Sequence, residues 1–493
     1  MERTADNVIN IKIPERGLMI TAGEQRIYST GTLRYTSTGL TWLFVWLLWG
    51  DFCANMMETV IPNVLPLKFK SLSCSATVIS FMLTGVPSLV MLFWNPVIAT
   101  WSDRYRSRWG RRIPFLMGGM PFMVLVLIGM GFCDYLGQAL FHLLGGWLSV
   151  SAATTSVLAI LLLGFYMCNS FVWSPYWALF NDTVPREVLG RFSMLFRIVS
   201  TCAVAAFNFL IFPHAETHYR LVFVGVAILF AAAYIVMCFN VKEGDYPPPT
   251  PLGHAGCGFL KKVQGYFRES FGHPLYVWLC LGAAFTVVGS AAAPFILLMN
   301  ISLGLDLKQI GWINGSAALI TLPAFFVAGL FVDRWNVVKL CYYGRVLQTL
   351  VCAGFLIYLF VDLSPKQVLV VTVVLNLALL VITAFMLVAS LPMSMRLFPS
   401  ANYGQFSSAV SVAVGATGII AGLLVGGFLD LMRWVHHGSD FYFRYAPLWL
   451  TFFFGISGFC QYKVYHHVKK ICGDDISSFV PPTASKKASC PAD

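Results

Sequence analysis

The chain has 493 residues, of which 58% are hydrophobic and 11% charged, and its formal net charge is +11. Soluble proteins carry about 25% charged residues, so most of this chain faces something other than water and a soluble globular class is excluded. Its apolar runs are long and continuous, unlike the alternating ten-residue strands of a membrane β-barrel, so the expected class is an all-α, multi-pass membrane protein.

Residues 1–38 are polar and mixed in charge, unlike a short basic region followed by an apolar core. The first apolar run then serves as targeting signal and leaves a cytosolic N-terminal tail. A bilayer span takes about 20 apolar residues. The sequence supplies twelve such runs: 39–62, 75–100, 113–133, 150–180, 191–213, 220–239, 276–300, 310–332, 338–361, 367–395, 405–430 and 446–466. Polar residues in the first, fourth and fifth keep eleven spans as an alternative. Residues 240–275 open with KEGDYPPPTP, whose prolines make an extended, non-helical connector. The division is therefore a tail (1–38), a six-helix bundle (39–239), a cytosolic linker (240–275), a second bundle (276–466) and a cytosolic tail (467–493).

Between the second and third runs lies WSDRYRSRWGRR, with Arg104, Arg106, Arg108, Arg111 and Arg112 in nine positions. Gly110 supplies the turn between two antiparallel helices. Loops on this side hold fifteen Lys and Arg, Arg345 counted among them, against seven on the other. That bias follows the positive-inside rule and puts both termini in the cytosol; the arginines also bind lipid phosphates. It accounts for the net charge without nucleic acid. The thirteen cysteines and nine histidines show no metal-ligand spacing. No metal or cofactor is expected. HExxH and GxSxG patterns are absent, so an enzyme is not expected either.

Two internal echoes appear. SDRYRSRW (102–109) is matched by VDRWNVVK (332–339), and VPREVLGRFS (184–193) by FPSANYGQFS (398–407). Repeated halves are an expected transporter architecture. With two six-helix halves, a long central loop and the Asp-Arg basic motif, the chain resembles the major facilitator superfamily. More narrowly, SDRYRSRWGRRIPF and YWALFNDTVPREVLGRFSMLFR (176–197) are similar to the glycoside–pentoside–hexuronide:cation symporters and sucrose-type carriers. The resemblance implies a major facilitator fold and a cytosolic gate. On the matching positions the gate comprises Asp103, Arg104, Gly110, Arg111, Arg112, Asp182, Gly190 and Arg191, with Asp333 and Arg334 as a thinner counterpart in the second half.

Ionisable groups inside a membrane are costly and usually functional. Asp51 and Glu58 in the first helix and Arg197 in the fifth stand out; Asp51 and Glu58 are seven apart on one face, with Asn55 between them. A carboxyl in low dielectric prefers to be neutral unless a cation holds it charged. An Asp51–Arg197 pair is expected to be broken by a proton and restored on its release. Solute contacts are expected from Tyr166, Asn169, Trp173 and Trp177 on one face of the fourth helix, and from Asn208, eleven residues after Arg197. Aromatic faces and amides suit a sugar.

Two departures limit the resemblance. Melibiose-type relatives carry paired carboxylates on the second helix where this chain has Met91 and Asn95, which favours protons over sodium. Sucrose-type relatives have an acid on the fourth helix where Tyr166 falls. The expected function is proton-coupled symport of a sugar or glycoside by a monomer in a bacterial inner or plasma membrane. An uncoupled uniporter or an exporter of a related polar solute is the alternative.

Overall fold

The computed structural model describes residues 27–244, apart from residue 31, and residues 272–473, apart from 333–334 and 400–402, together with Phe479 and Pro481. It opens on an antiparallel hairpin, β1 (Tyr28–Thr30) against β2 (Leu33–Tyr35), with Tyr28 opposite Tyr35.

Twelve long helices follow among the described residues. In the first half α1 is Ser37–Ser71. Next, α2 runs as Ala76–Ser80, a π turn Phe81–Gly85 and Val86–Arg104. Then α3 is Ile113–Gly131 and α4 is Val150–Thr183. α5 runs as Leu189–Ala206, a π turn Phe207–Ile211 and a 3-10 turn Phe212–His214, and α6 is Tyr219–Asn240. In the second half α7 is Pro274–Ser290 plus Ala293–Ser302, α8 is Leu307–Val332 and α9 is Val337–Gly354 plus Ile357–Phe360. α10 is Pro365–Leu397, α11 is Tyr403–Val435 and α12 is Ala446–Cys472. Eleven of these are long and apolar enough to cross a membrane. The exception, α12, has 27 residues but ends in the polar stretch QYKVYHHVKK.

Their starts are legible in side chains that satisfy the open N–H groups of a first turn. Thr36 Oγ1 accepts from Gly39 N, Ser149 Oγ from Ala152 N, and Asn336 Oδ1 from Val338 N and Lys339 N. Pro274 and Pro365 stand in the first turns of α7 and α10, where a missing N–H costs nothing. Three boundaries depart from expectation. α1 continues through Pro62 and Pro66 to Ser71, because a chain away from water keeps its remaining helical bonds rather than unwinding. α7 breaks at residues 291–292. An amphipathic helix, Cys133–Leu143, occupies what the sequence presents as the end of a span and a loop; its Asp134 binds Lys68 of α1 at 2.7 Å.

The packing repeats with a shift of six helices. In the first half α1 packs on α5 and α6, α3 on α4 and α6, and α2 on α4; in the second α7 packs on α11 and α12, α9 on α10 and α12, and α8 on α10. The two main cross-half contacts, α2 with α11 and α5 with α8, exchange under the same shift. Bulky apolar side chains stand exposed around the outside, Phe360 at 83% and Leu210 at 70%. That surface suits lipid, not water. The end carrying β1–β2 and the arginine loop is called the basic face below, and the opposite end the far face.

Candidate functional site

Asp51 lies fourteen residues into α1, about 21 Å from its start. Its side chain is fully buried, at 0% exposure. A buried carboxylate needs donors. Asn55 Nδ2, one turn along α1, donates to Oδ1 at 2.7 Å, and Ser200 Oγ of α5 donates to Oδ2 at 2.7 Å. A carboxylate can accept about four hydrogen bonds, so capacity remains at both oxygens. Seven residues on, Glu58 Oε1 accepts from Asn169 Nδ2 of α4 at 2.7 Å. Trp173 Nε1 is directed at the same carboxylate but is buried without a partner in hydrogen-bonding geometry, and Tyr166 lies close by. Trp177 stacks on Trp173 at 6.2 Å and is 43% exposed.

The expected ion pair is not formed: among the described residues, Asp51 has no salt bridge to Arg197. The reason is depth. Arg197 is about 12 Å from the start of α5 and Ser200 about 17 Å, so Ser200 comes level with Asp51 first. The Arg197 side chain is exposed. Asn208 sits in the α5 π turn, 2% exposed; its Nδ2 donates to Val204 O and its Oδ1 has no partner. Asn169 Oδ1 is likewise buried and unpartnered.

At the basic face, Arg111 Nη2 meets Asp182 Oδ2 at 2.7 Å, and Arg112 Nε lies 3.5 Å from the same oxygen. Arg112 Nη1 donates to Ser102 Oγ at 2.6 Å, so this buried guanidinium ties α2, α3 and α4. Gly110 holds φ +102, the left-handed side that glycine adopts without strain. Glu243, just past α6, accepts from the backbone N–H of Arg111, Arg112 and Ile113 at 2.9, 2.8 and 2.7 Å. The backbone of Asp103 and Arg104 ends α2, and that of Gly190 and Arg191 begins α5. Asp333 and Arg334 lie outside the described residues.

Four further polar residues receive no site role from the sequence. Ser200 reads as an ordinary small helix residue. Glu243 reads as a linker acid. Asp430 stands at the far end of α11 and accepts from Ala76 N, Thr77 N and Thr77 Oγ1 at 2.8, 3.0 and 2.6 Å. Arg345, counted above as a loop cation, is instead buried at 7% exposure inside α9. Its Nη1 donates to Gln348 Oε1 at 2.5 Å and its guanidinium lies 5.0 Å from the Phe454 ring. The signal available for Arg345 was its place eight residues inside the 338–361 run.

A family model described as "MFS/sugar transport protein" matches residues 47–430. The chain belongs to this family. This transporter also shares its fold with solved transporters of low sequence identity. A bacterial homologue of the human lysosomal transporter Spinster, in an inward-facing unoccupied conformation, superposes with TM-score 0.63 at 15% identity, covering 88% of this chain and 99% of that one. An inward-facing bacterial homologue of the iron transporter ferroportin gives 0.60 at 15% identity, covering 86% and 99%. The nucleoside transporter NupG gives 0.57 at 10% identity, covering 86% and 100%. The transporter is thus a multi-pass membrane protein of the major facilitator fold that moves a small molecule.

Proposed function

We propose that this transporter is a monomeric symporter that moves a sugar or glycoside with a proton by alternating access. Asp51 carries the proton, and the basic face with both termini is cytosolic in a bacterial inner or plasma membrane. The supporting observation is the Asp51 carboxylate itself: fully buried, held by two neutral donors, and without a salt bridge. An unpaired charge there is expensive, so proton uptake is the ready way to neutralise it. Protonation gives the carboxyl a donor of its own and removes the charge that strengthens the bonds from Ser200 and Asn55. Those two residues link α1 to α5, so the proton acts on the packing of two helices.

Glu58 is the second carboxylate, and its neighbours are the solute contacts. Asn169 Oδ1, Asn208 Oδ1 and Trp173 Nε1 are buried polar atoms without partners. Two accept and one donates, which suits hydroxyl groups, since each hydroxyl does both. Trp173 and Trp177 offer a flat face to a pyranose ring. Arg197, exposed one turn before Ser200, supplies the counter-charge or a hydroxyl donor as the site fills. The basic-face cluster of Arg111, Arg112, Asp182, Gly110 and Glu243 is the cytosolic gate, joined by Asp103, Arg104, Gly190, Arg191, Asp333 and Arg334.

The test is uptake of a panel of radiolabelled sugars by the purified protein in liposomes under an imposed pH gradient. One proton moving through 100 mV is worth roughly 2.3 kcal/mol, about a 50-fold solute gradient. Asp51→Asn is expected to abolish accumulation and spare exchange. Wild-type accumulation by that variant would remove Asp51 from the coupling. Uptake insensitive to a protonophore would leave an uncoupled carrier, and dependence on a sodium gradient would replace the proton.

A further inference from the structure

The two cross-half seams are built alike but closed differently. Each sets a π turn of the first half against glycines of the second. In the α2–α11 seam, a Cβ on Gly422 would meet Phe81 Cα and Gly85 N, and one on Gly426 would strike the Thr77 backbone. In the α5–α8 seam, a Cβ on Gly311 would strike the carbonyl of Asn208, and Phe209 packs on Trp312 at 4.9 Å. Backbones therefore touch along both seams. The difference is a charge. Among the described residues, only the α2–α11 seam carries a carboxylate, Asp430, on the first turn of the opposing helix.

That contact is a helix cap supplied from the other half of the molecule. The open N–H groups at a helix start favour an anion through hydrogen bonds and the helix dipole. Ser75, within α2's own approach, covers only Val78 N, at 3.3 Å. Ala76 N, Thr77 N and Thr77 Oγ1 depend on Asp430, 354 residues further along the chain in the case of Ala76. When α2 and α11 part at the far face, Ser75 stays behind and Asp430 leaves. Far-face opening must break three charge-assisted bonds, and among the described residues the other seam shows no equivalent set.

We propose that Asp430 is a positioning residue for transport: a latch that holds the far face shut through the first turn of α2 and sets how often the transporter opens there. Asp430 contacts no proposed solute residue and acts only through the helix it caps. The proposal rests on the alternating-access reading, but its test needs no solute, so it fails or stands separately from proton coupling.

Amide hydrogen exchange of the full chain in lipid nanodiscs, read by mass spectrometry, tests it. Three windows are followed: residues 76–80, the other seam at 208–212 and 311–315, and the basic face at 111–113. Asp430→Ala is expected to speed exchange about tenfold at residues 76–80, as loss of bonds to a charged acceptor implies. It should speed exchange at the other seam as well, with no loss of protection at residues 111–113. Asp430→Glu is expected to restore most of the protection. Exchange that rises only at residues 76–80, or nowhere, overturns the latch and leaves a local cap. If Asp430→Ala does not fold, Thr77→Val, which removes one of the three bonds, decides the matter. Faster exchange spreading to residues 208–212 and 311–315 supports the latch, and confinement to residues 76–80 overturns it.

Discussion

Glu243→Ala is the sharpest perturbation of the basic face. α3 begins at Ile113 with no side-chain cap from the residue before it, because Arg112 stands at the cap position and supplies none. Glu243 fills that role from beyond α6, accepting three backbone N–H bonds of 2.7–2.9 Å. Removing a helix cap costs about 0.5–2 kcal/mol. Losing a negative charge at a partly buried helix start costs about 0.3–2 kcal/mol more. A middle value near 2.5 kcal/mol corresponds to roughly a 60-fold rise in local opening, since about 1.4 kcal/mol is tenfold. Hydrogen exchange at the amides of residues 111–113 reads it directly. Glu243→Gln keeps one acceptor oxygen and loses the charge, so its exchange should rise only about tenfold. Equal rates in the alanine and glutamine variants, or an alanine effect under about threefold, would show that the carboxylate does not hold this loop.

Replacing Arg345 by Met should be neutral or stabilising by about 1–4 kcal/mol, since an apolar side chain of similar size avoids the desolvation of a buried cation; Arg345→Ala adds a cavity and should destabilise by about 2–5 kcal/mol. Thermal unfolding followed in detergent ranks the two against wild type, and a Met variant less stable than the Ala variant contradicts the assignment. At the start of α7, burial, with His467 beside it, pulls His273 below the ordinary histidine value, and His273 Nδ1 accepts from Leu275 N. The neutral ring is therefore the capping form. The folded state binds this proton less well than the unfolded chain, so stability is lost as pH falls from about 6.5 through the lowered value. His273→Asn, a cap that does not titrate, should flatten that part of the pH–stability curve, and an unchanged slope counts against the cap.

Periodicity and charge carried most of the helical layout into view. Long apolar runs set the spans, and the arginine loop marked one face, because both effects are local and additive along the chain. What stayed hidden depends on partners far away in sequence. Ser200 matters only because α5 brings it level with Asp51, and the three-residue difference from Arg197 decides which of them meets the carboxylate. Glu243 matters only because the end of α6 lies beside the start of α3. Arg345 counts as a loop cation in the sequence because charge usually means water, whereas here Gln348 and Phe454 receive it inside the bundle. The π turns left no mark as turns, since FMLTG and FNFLI read as ordinary stretches of a continuous span.

Those turns decide which way the helices point beyond them. Each carries one residue more than the α repeat allows, and a helix rotates about 100° per residue. Deleting a single residue between Phe81 and Gly85 would swing Val86–Arg104 by about that angle. The arginine loop would then leave the bundle on a different bearing, with its own sequence untouched. The clocking of the basic motif is thus written some five turns upstream, in a surplus residue that sits against the glycines of α11.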